Sequence, residues 1–112
     1  MANVWVKSGT VRNMFAGAGT TTTGASNGIY KDSPKASFQA VVSGSGAVTA
    51  TIDIQYSNDG ANWCATPGGT ITLSGTDVDS DGFTSDSPWK FARANVTALT
   101  GTNAVVQVFV GV

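Results

Sequence analysis

The chain has 112 residues, enough for one packed domain and too few for two independent cores. An apolar fraction of 41% excludes a disordered chain, while a charged fraction of only 12% is about half the usual share. The net charge is −1. Its six basic residues, Lys7, Arg12, Lys31, Lys35, Lys90 and Arg93, are scattered, which argues against nucleic acid, whose counterions are displaced by clustered positive charge. No apolar run of about 18 residues offers a membrane helix. The first residues lack the basic and apolar regions of an export signal, so the expectation is a chain made and first folded in a cytoplasm. The lone Cys64 agrees, since it forms no internal disulfide framework. Beside Trp63 it reads as a small buried hydrophobe.

With so few charges, the polar surface has to be built from Thr, Ser, Asn, Gln and Gly. Such short side chains lose little entropy at a contact and permit close approach. This suits a protein packed against partners, or carried in many copies on an assembly. Extracellular and β-rich proteins often share the composition.

In chain order, residues 3–7 and 11–16 are candidate strands. Residues 17–28 (GAGTTTTGASNG) predict no element, and read as a loop or as part of an arm ordered against a neighbouring subunit. Residues 35–43 carry Phe38, Ala40 and Val42 on one face and end in Gly44-Ser45-Gly46. Residues 47–57 form the clearest strand: Val48, Ala50, Ile52, Ile54 and Tyr56 alternate with Thr49, Thr51, Asp53, Gln55 and Ser57. The two segments are expected to pair as a hairpin. Asp59-Gly60 predicts a second turn, returning into a strand over 63–66. A short strand over 70–74 is bounded by Pro67-Gly68-Gly69 and Gly75. Over 89–98 the apolar phase slips, from Trp89 and Phe91 to Ala92, Ala94 and Val96, which a β-bulge near Phe91 would explain. Residues 104–110 are nearly all apolar and suggest a strand covered on both faces.

The sum is an all-β chain of about seven or eight short antiparallel strands. The expected architecture is a β-sandwich of jelly-roll kind with an extended N-terminal arm or loop. As a single domain it divides into strands and a Gly/Thr-rich arm over 1–34 and a sandwich core over 35–112.

Chemistry is scarce in the sequence. There is no His and no Glu, so the commonest general base and the usual paired carboxylates are missing, and Ser and Thr have no evident base. The expectation is a protein that is not an enzyme and needs no cofactor. One motif bears on metal: Asp77, Asp79 and Asp81, followed by Gly82, match the first half of a calcium loop. Its twelfth position falls on Pro88 instead of a bidentate Glu, although Asp86 offers a late ligand. The competing reading is a polar turn at a loop tip. Trp5, Tyr30, Tyr56, Trp63 and Trp89 could stack on a glycan, but Tyr56, Trp63 and Trp89 fall where a sandwich core takes large rings. Trp5 and Tyr30, with Thr21, Thr22 and Thr23 of the arm, are the interface candidates.

From Val42 onward, about two thirds of the chain resembles small virion proteins of tailed bacteriophages. The resemblance rests on SGSGAVTATIDIQYSNDGANW (43–63), ITLSGT (71–76), DGF (81–83) and PWKFARANVTALTGT (88–102). It implies a β-sandwich on the outside of a particle in many copies, as in capsid decoration (cement) proteins or pieces of tail and fibre. Residues 1–34 lie outside it, and Asp77-Val78-Asp79 is not expected of the family. The implied partners are the major capsid protein and copies of the chain itself, as a homo-oligomer on the virion surface, without nucleic acid or membrane. The alternative is a tail or fibre module with an adhesive, glycan-binding role. A calcium-dependent carbohydrate-binding domain of an enzyme is a more distant third.

Overall fold

The alternation read over residues 47–57 extends through a much longer strand. In the computed structural model of the chain, which describes residues 3–15, 17 and 19–112, that strand runs from Lys35 to Ser57. The parts of the expected N-terminal elements that fall on residues 1, 2, 16 and 18 lie outside the described residues. Seven strands form one mixed sheet, with no helix among the described residues. They are β1 (Val4–Val6), β2 (Val11–Asn13), β3 (Gly24–Ala25), β4 (Ile29–Lys31), β5 (Lys35–Ser57), β6 (Gly69–Asp86) and β7 (Phe91–Gly111). The order is β1-β4-β7-β5-β6, with β2 and β3 also on β7. The all-β class is therefore as expected. Two details differ: β1 and β4 are parallel, and three of the strands are long.

Along β5 the even-numbered side chains are buried both before and after Gly44-Ser45-Gly46: Ala36, Phe38, Ala40 and Val42, then Val48, Ala50, Ile52, Ile54 and Tyr56. The two segments expected to form a hairpin are thus one strand. The Gly-Ser-Gly insert is taken up as a bulge opposite a single residue, Asp77, since Ser43 pairs with Val78 and Ala47 with Thr76. Residues 63–66 form no strand either. The loop after β5 is held by Cys64 N–H to Tyr56 O (3.0 Å) and Gly68 N–H to Ile54 O (2.7 Å), and pairing resumes at Gly69. The bulge expected near Phe91 lies at Thr97 instead, because Thr51 pairs with Ala98 and Ile52 with Val96. Trp89 reaches the core from the loop before β7, stacked on Tyr56 at 6.4 Å. The phase slip therefore marks the start of the strand.

At about 3.3 Å per residue, 23 residues drawn straight would span about 75 Å, yet the longest dimension of the molecule is 38 Å. The three long strands fold over at a common level. Gly46 (φ 76°), Asp77 (φ 65°), Gly101 (φ 131°) and Asn103 (φ 55°) all occupy the left-handed half of backbone space there. Gly101 is also required for room, because a Cβ would stand 2.8 Å from Val48 Cγ1 and 3.0 Å from Ala47 O. The buried faces on both sides of this fold line join one core, with Phe38, Val42, Val106 and Val108 from one half and Ile52, Ile54, Ile71, Leu73 and Val96 from the other.

The N-terminal segment runs along the edge of β7 that β5 leaves free. Val11 pairs with Gly111, Thr20 with Val106, Gly24 with Val96 and Ile29 with Ala92. Val6, Met14, Phe15 and Ile29 anchor it in the core. Residues 20–26 thus take their order from main-chain bonds to β7 of the same chain, which local composition does not encode.

Candidate binding surfaces

Paired residues in an antiparallel ladder share a face, so the register reads out the outer surface of the sheet directly. Between the Lys35–Asp86 pair and the fold line, that surface consists of Ser37, Gln39, Val41 and Ser43 on β5, Thr84, Gly82, Ser80 and Val78 on β6, and Gly111, Phe109, Gln107 and Val105 on β7. Val11 and Asn13 of β2 extend it. None is charged. Val78 is 57% exposed and Val11 72% exposed, while Val41, Val105 and Phe109 are half-buried. Beyond the fold line the outer face is a hydroxyl and amide ladder: Thr49 bonds Thr100, Thr70 Oγ1 donates to Asp53 Oδ1 (2.8 Å), and Arg93 Nε donates to Gln55 Oε1 (2.8 Å).

The three carboxylates of the candidate calcium loop sit on β6, in a strand and not at a loop tip. Asp79 and Asp81 pair with Val42 and Ala40, which puts both on the core-facing side of this outermost strand. Inward-turned charge is one way proteins guard an open sheet edge. Each carboxylate already has a main-chain donor. Asp77 Oδ1 accepts from Gly46 N–H (2.8 Å), Asp79 Oδ2 from Ser74 N–H (2.9 Å) and Asp81 Oδ1 from Gly82 N–H (2.8 Å). Among the described residues no three acidic or thiol side chains come together as a metal site.

Trp5 and Tyr30 are brought side by side, as directly paired residues of β1 and β4. Trp5 is 62% exposed and Tyr30 37%, and the Tyr30 ring meets Phe91 edge-on at 5.4 Å. Thr21, Thr22 and Thr23 are exposed at the fold line, between the Thr20–Val106 bridge and β3. The five interface candidates therefore form two separate places: an aromatic pair at the β1 end of the sheet and a hydroxyl loop at the fold line.

Next to the aromatic pair is an arrangement the sequence reading missed. Arg93 lies over the Trp63 ring at 4.8 Å, and a cleft of about 350 Å³ opens between them, Asn3, Gly28 and Gly60. Burial draws the Arg93 pKa down from its usual value. The loop forming one wall is built on Asp59. Its Oδ1 accepts from Ala61 N–H (2.9 Å), Asn62 N–H (2.8 Å) and Ser57 Oγ (2.8 Å), and its Oδ2 from Asn62 Nδ2 (2.9 Å). Those bonds, led by the one from the Asn62 side chain, hold the Asp59 carboxyl well below the usual carboxylate range. The alternation around Ala92 and Ala94 was the available signal that Arg93 faces outward. Nothing in the sequence indicated that Trp63 would lie beneath it.

Family models, curated proteins and solved structures yield no match to this chain. What the surfaces can do follows from their own chemistry. They offer weakly charged contact area, one exposed aromatic pair and an ordered loop.

Proposed function

We propose that the chain is a non-catalytic structural protein of a phage virion, a decoration (cement) protein that binds the outer surface of the major capsid shell in many copies and stabilises it. The observation that carries this reading is the charge-free outer face around Val41, Val78, Val105 and Phe109. Covering it leaves no buried ion to be paired, and its short Ser, Thr and Val side chains lose little entropy on ordering. The resemblance from Val42 onward points the same way. In this reading the two halves beyond and before the fold line are the layers of a jelly-roll-like sandwich, whose strands change layer at bends. The partners are the major capsid protein and further copies of the chain, with neither nucleic acid nor membrane, and the location is the virion surface.

The exposed Trp5 beside Tyr30 favours a second reading, a tail or fibre module that stacks on a surface glycan. Imaging of purified particles with the chain labelled separates the two. A decoration protein occupies a lattice of hundreds of copies, and a fibre module a few copies on the tail. Particles that lack the chain altogether would overturn both.

A further inference from the structure

The outermost strand, β6, is paired with β5 on one side, and among the described residues nothing pairs with the other. An open edge of this length invites another strand unless it is guarded. The guard is uneven. Asp77, Asp79, Asp81 and Asp86, four of the seven acidic residues, all lie in the last ten residues of β6, 77–86. Asp79 also occupies the N–H of Ser74, near the end of the uncharged stretch, and Asp81 that of Gly82. The first seven residues, GTITLSG over 69–75, carry no charge, and the exposed Thr70 and Thr72 have no such cover. Since the Ser74 N–H is turned away from β5 towards Asp79, the two-residue alternation of the ladder turns the main-chain groups of Thr72 and Thr70 outward too.

We infer that two copies of this chain pair antiparallel through residues 69–73 of β6, joining their sheets across a two-fold axis near Ile71. Thr70 then stands opposite Thr72 of the partner subunit, with about four main-chain hydrogen bonds closing the two edges. Charge selects this register. A two-fold near Ser80 would set Asp79 against Asp81 of the partner subunit, and like charges directly opposite are unfavourable. A two-fold near Ile71 keeps every Asp of β6 outside the paired run. Ile71 and Leu73 stay buried in their own core, so the contact is narrow and the free-solution affinity modest. Copies held close together on a surface would pair far more completely, through effective concentration. The pairing itself does not rest on the decoration reading, and it is tested on free protein.

Sedimentation of the purified chain over a concentration series should show a reversible monomer–dimer equilibrium, with a midpoint on the order of 100 µM. Hydrogen exchange at the Thr70 and Thr72 amides should slow as concentration rises. Thr72→Pro removes an outward N–H that the β5 ladder does not use, and should weaken dimerisation by about tenfold or more. The double variant Thr70→Lys, Thr72→Lys places like charges opposite one another and should do the same. It carries the test should circular dichroism show that the proline variant does not fold. A chain that stays monomeric up to about 1 mM, exchange at Thr70 and Thr72 independent of concentration, or a dimer that the folded variants leave intact would each overturn the inference.

Discussion

Asp77 accepts the main-chain N–H of Gly46 at 2.8 Å, from the opposite strand, where the sheet folds over. Both residues have positive φ, 65° and 76°. The bond therefore ties together the two least ordinary pieces of backbone in the β5–β6 ladder. Asp tolerates the left-handed region and supplies the acceptor at the same position. Asp77→Asn should keep both properties and stay within about 0.5 kcal/mol of wild type. Asp77→Gly keeps only the backbone freedom. Asp77→Ala loses both and should cost about 1–3 kcal/mol. Denaturant melts of the three variants give that ranking directly, and an unchanged Asp77→Ala protein would show that Gly46 needs no clamp.

The same engagement bears on calcium. For Asp77, Asp79 and Asp81 to converge on a cation, carboxylates tethered to main-chain donors at three different places would have to be brought together. The strand would also have to bend out of its register with Val42 and Ala40. The expected result is a melting temperature unchanged by millimolar calcium or by chelator. A rise of several degrees on adding calcium would mean that the carboxylates do converge on the ion.

Asp59 sets the acid response. Its carboxyl titrates well below the usual 3.8 because it accepts bonds from Asn62, Ala61 and Ser57. A depressed carboxyl pKa stabilises the fold above the unfolded value, and that contribution is lost as pH falls through the folded one. Wild-type stability should therefore decline as pH drops below about 4. Asp59→Asn should be less stable than wild type at neutral pH and should show a shallower decline. Thermal melts across that acid range compare the two slopes, and parallel curves would refute the assignment.

What could be read from the sequence was whatever period two encodes. The face of β5 holding Val48, Ala50, Ile52, Ile54 and Tyr56 is buried as the alternation demanded, and the β class followed from it. What could not be read was continuity. Gly44-Ser45-Gly46 has the composition of a turn, and only its single partner Asp77 across the ladder makes it a bulge within one strand. Gly75 reads as a strand end, yet β6 runs through it to Asp86. The arm shows the same limit, since Thr20 and Gly24 are ordered by Val106 and Val96, residues distant in sequence. For the surfaces, Trp5 and Tyr30 stand out in the sequence as interface candidates, but nothing there places them side by side. The alternate carboxylate spacing of a calcium loop was visible, whereas the main-chain donors that the carboxylates accept became visible only with the register.

Lys31 offers the last test, one that separates burial from charge. Its side chain is buried although it is basic, with Nζ donating to Ser87 O (2.8 Å) and Pro34 O (3.3 Å) above the Tyr56 ring at 5.1 Å. Burial, and after it the nearby Lys90, lower its pKa below the usual 10.5, while Asp86 acts in the opposite direction. Between the folded pKa and 10.5 the unfolded chain holds the proton more tightly, so this residue adds stability as pH climbs through that window. Below the window the full cost of burying the ammonium applies. Lys31→Met removes that cost along with two hydrogen bonds to loop carbonyls, and the two changes oppose one another. Near neutral pH the variant should therefore lie within about 1 kcal/mol of wild type. As pH rises towards 10.5, wild type should gain on the variant. A stability difference that stays flat with pH would show that the Lys31 ammonium is as well solvated in the folded chain as in the unfolded one.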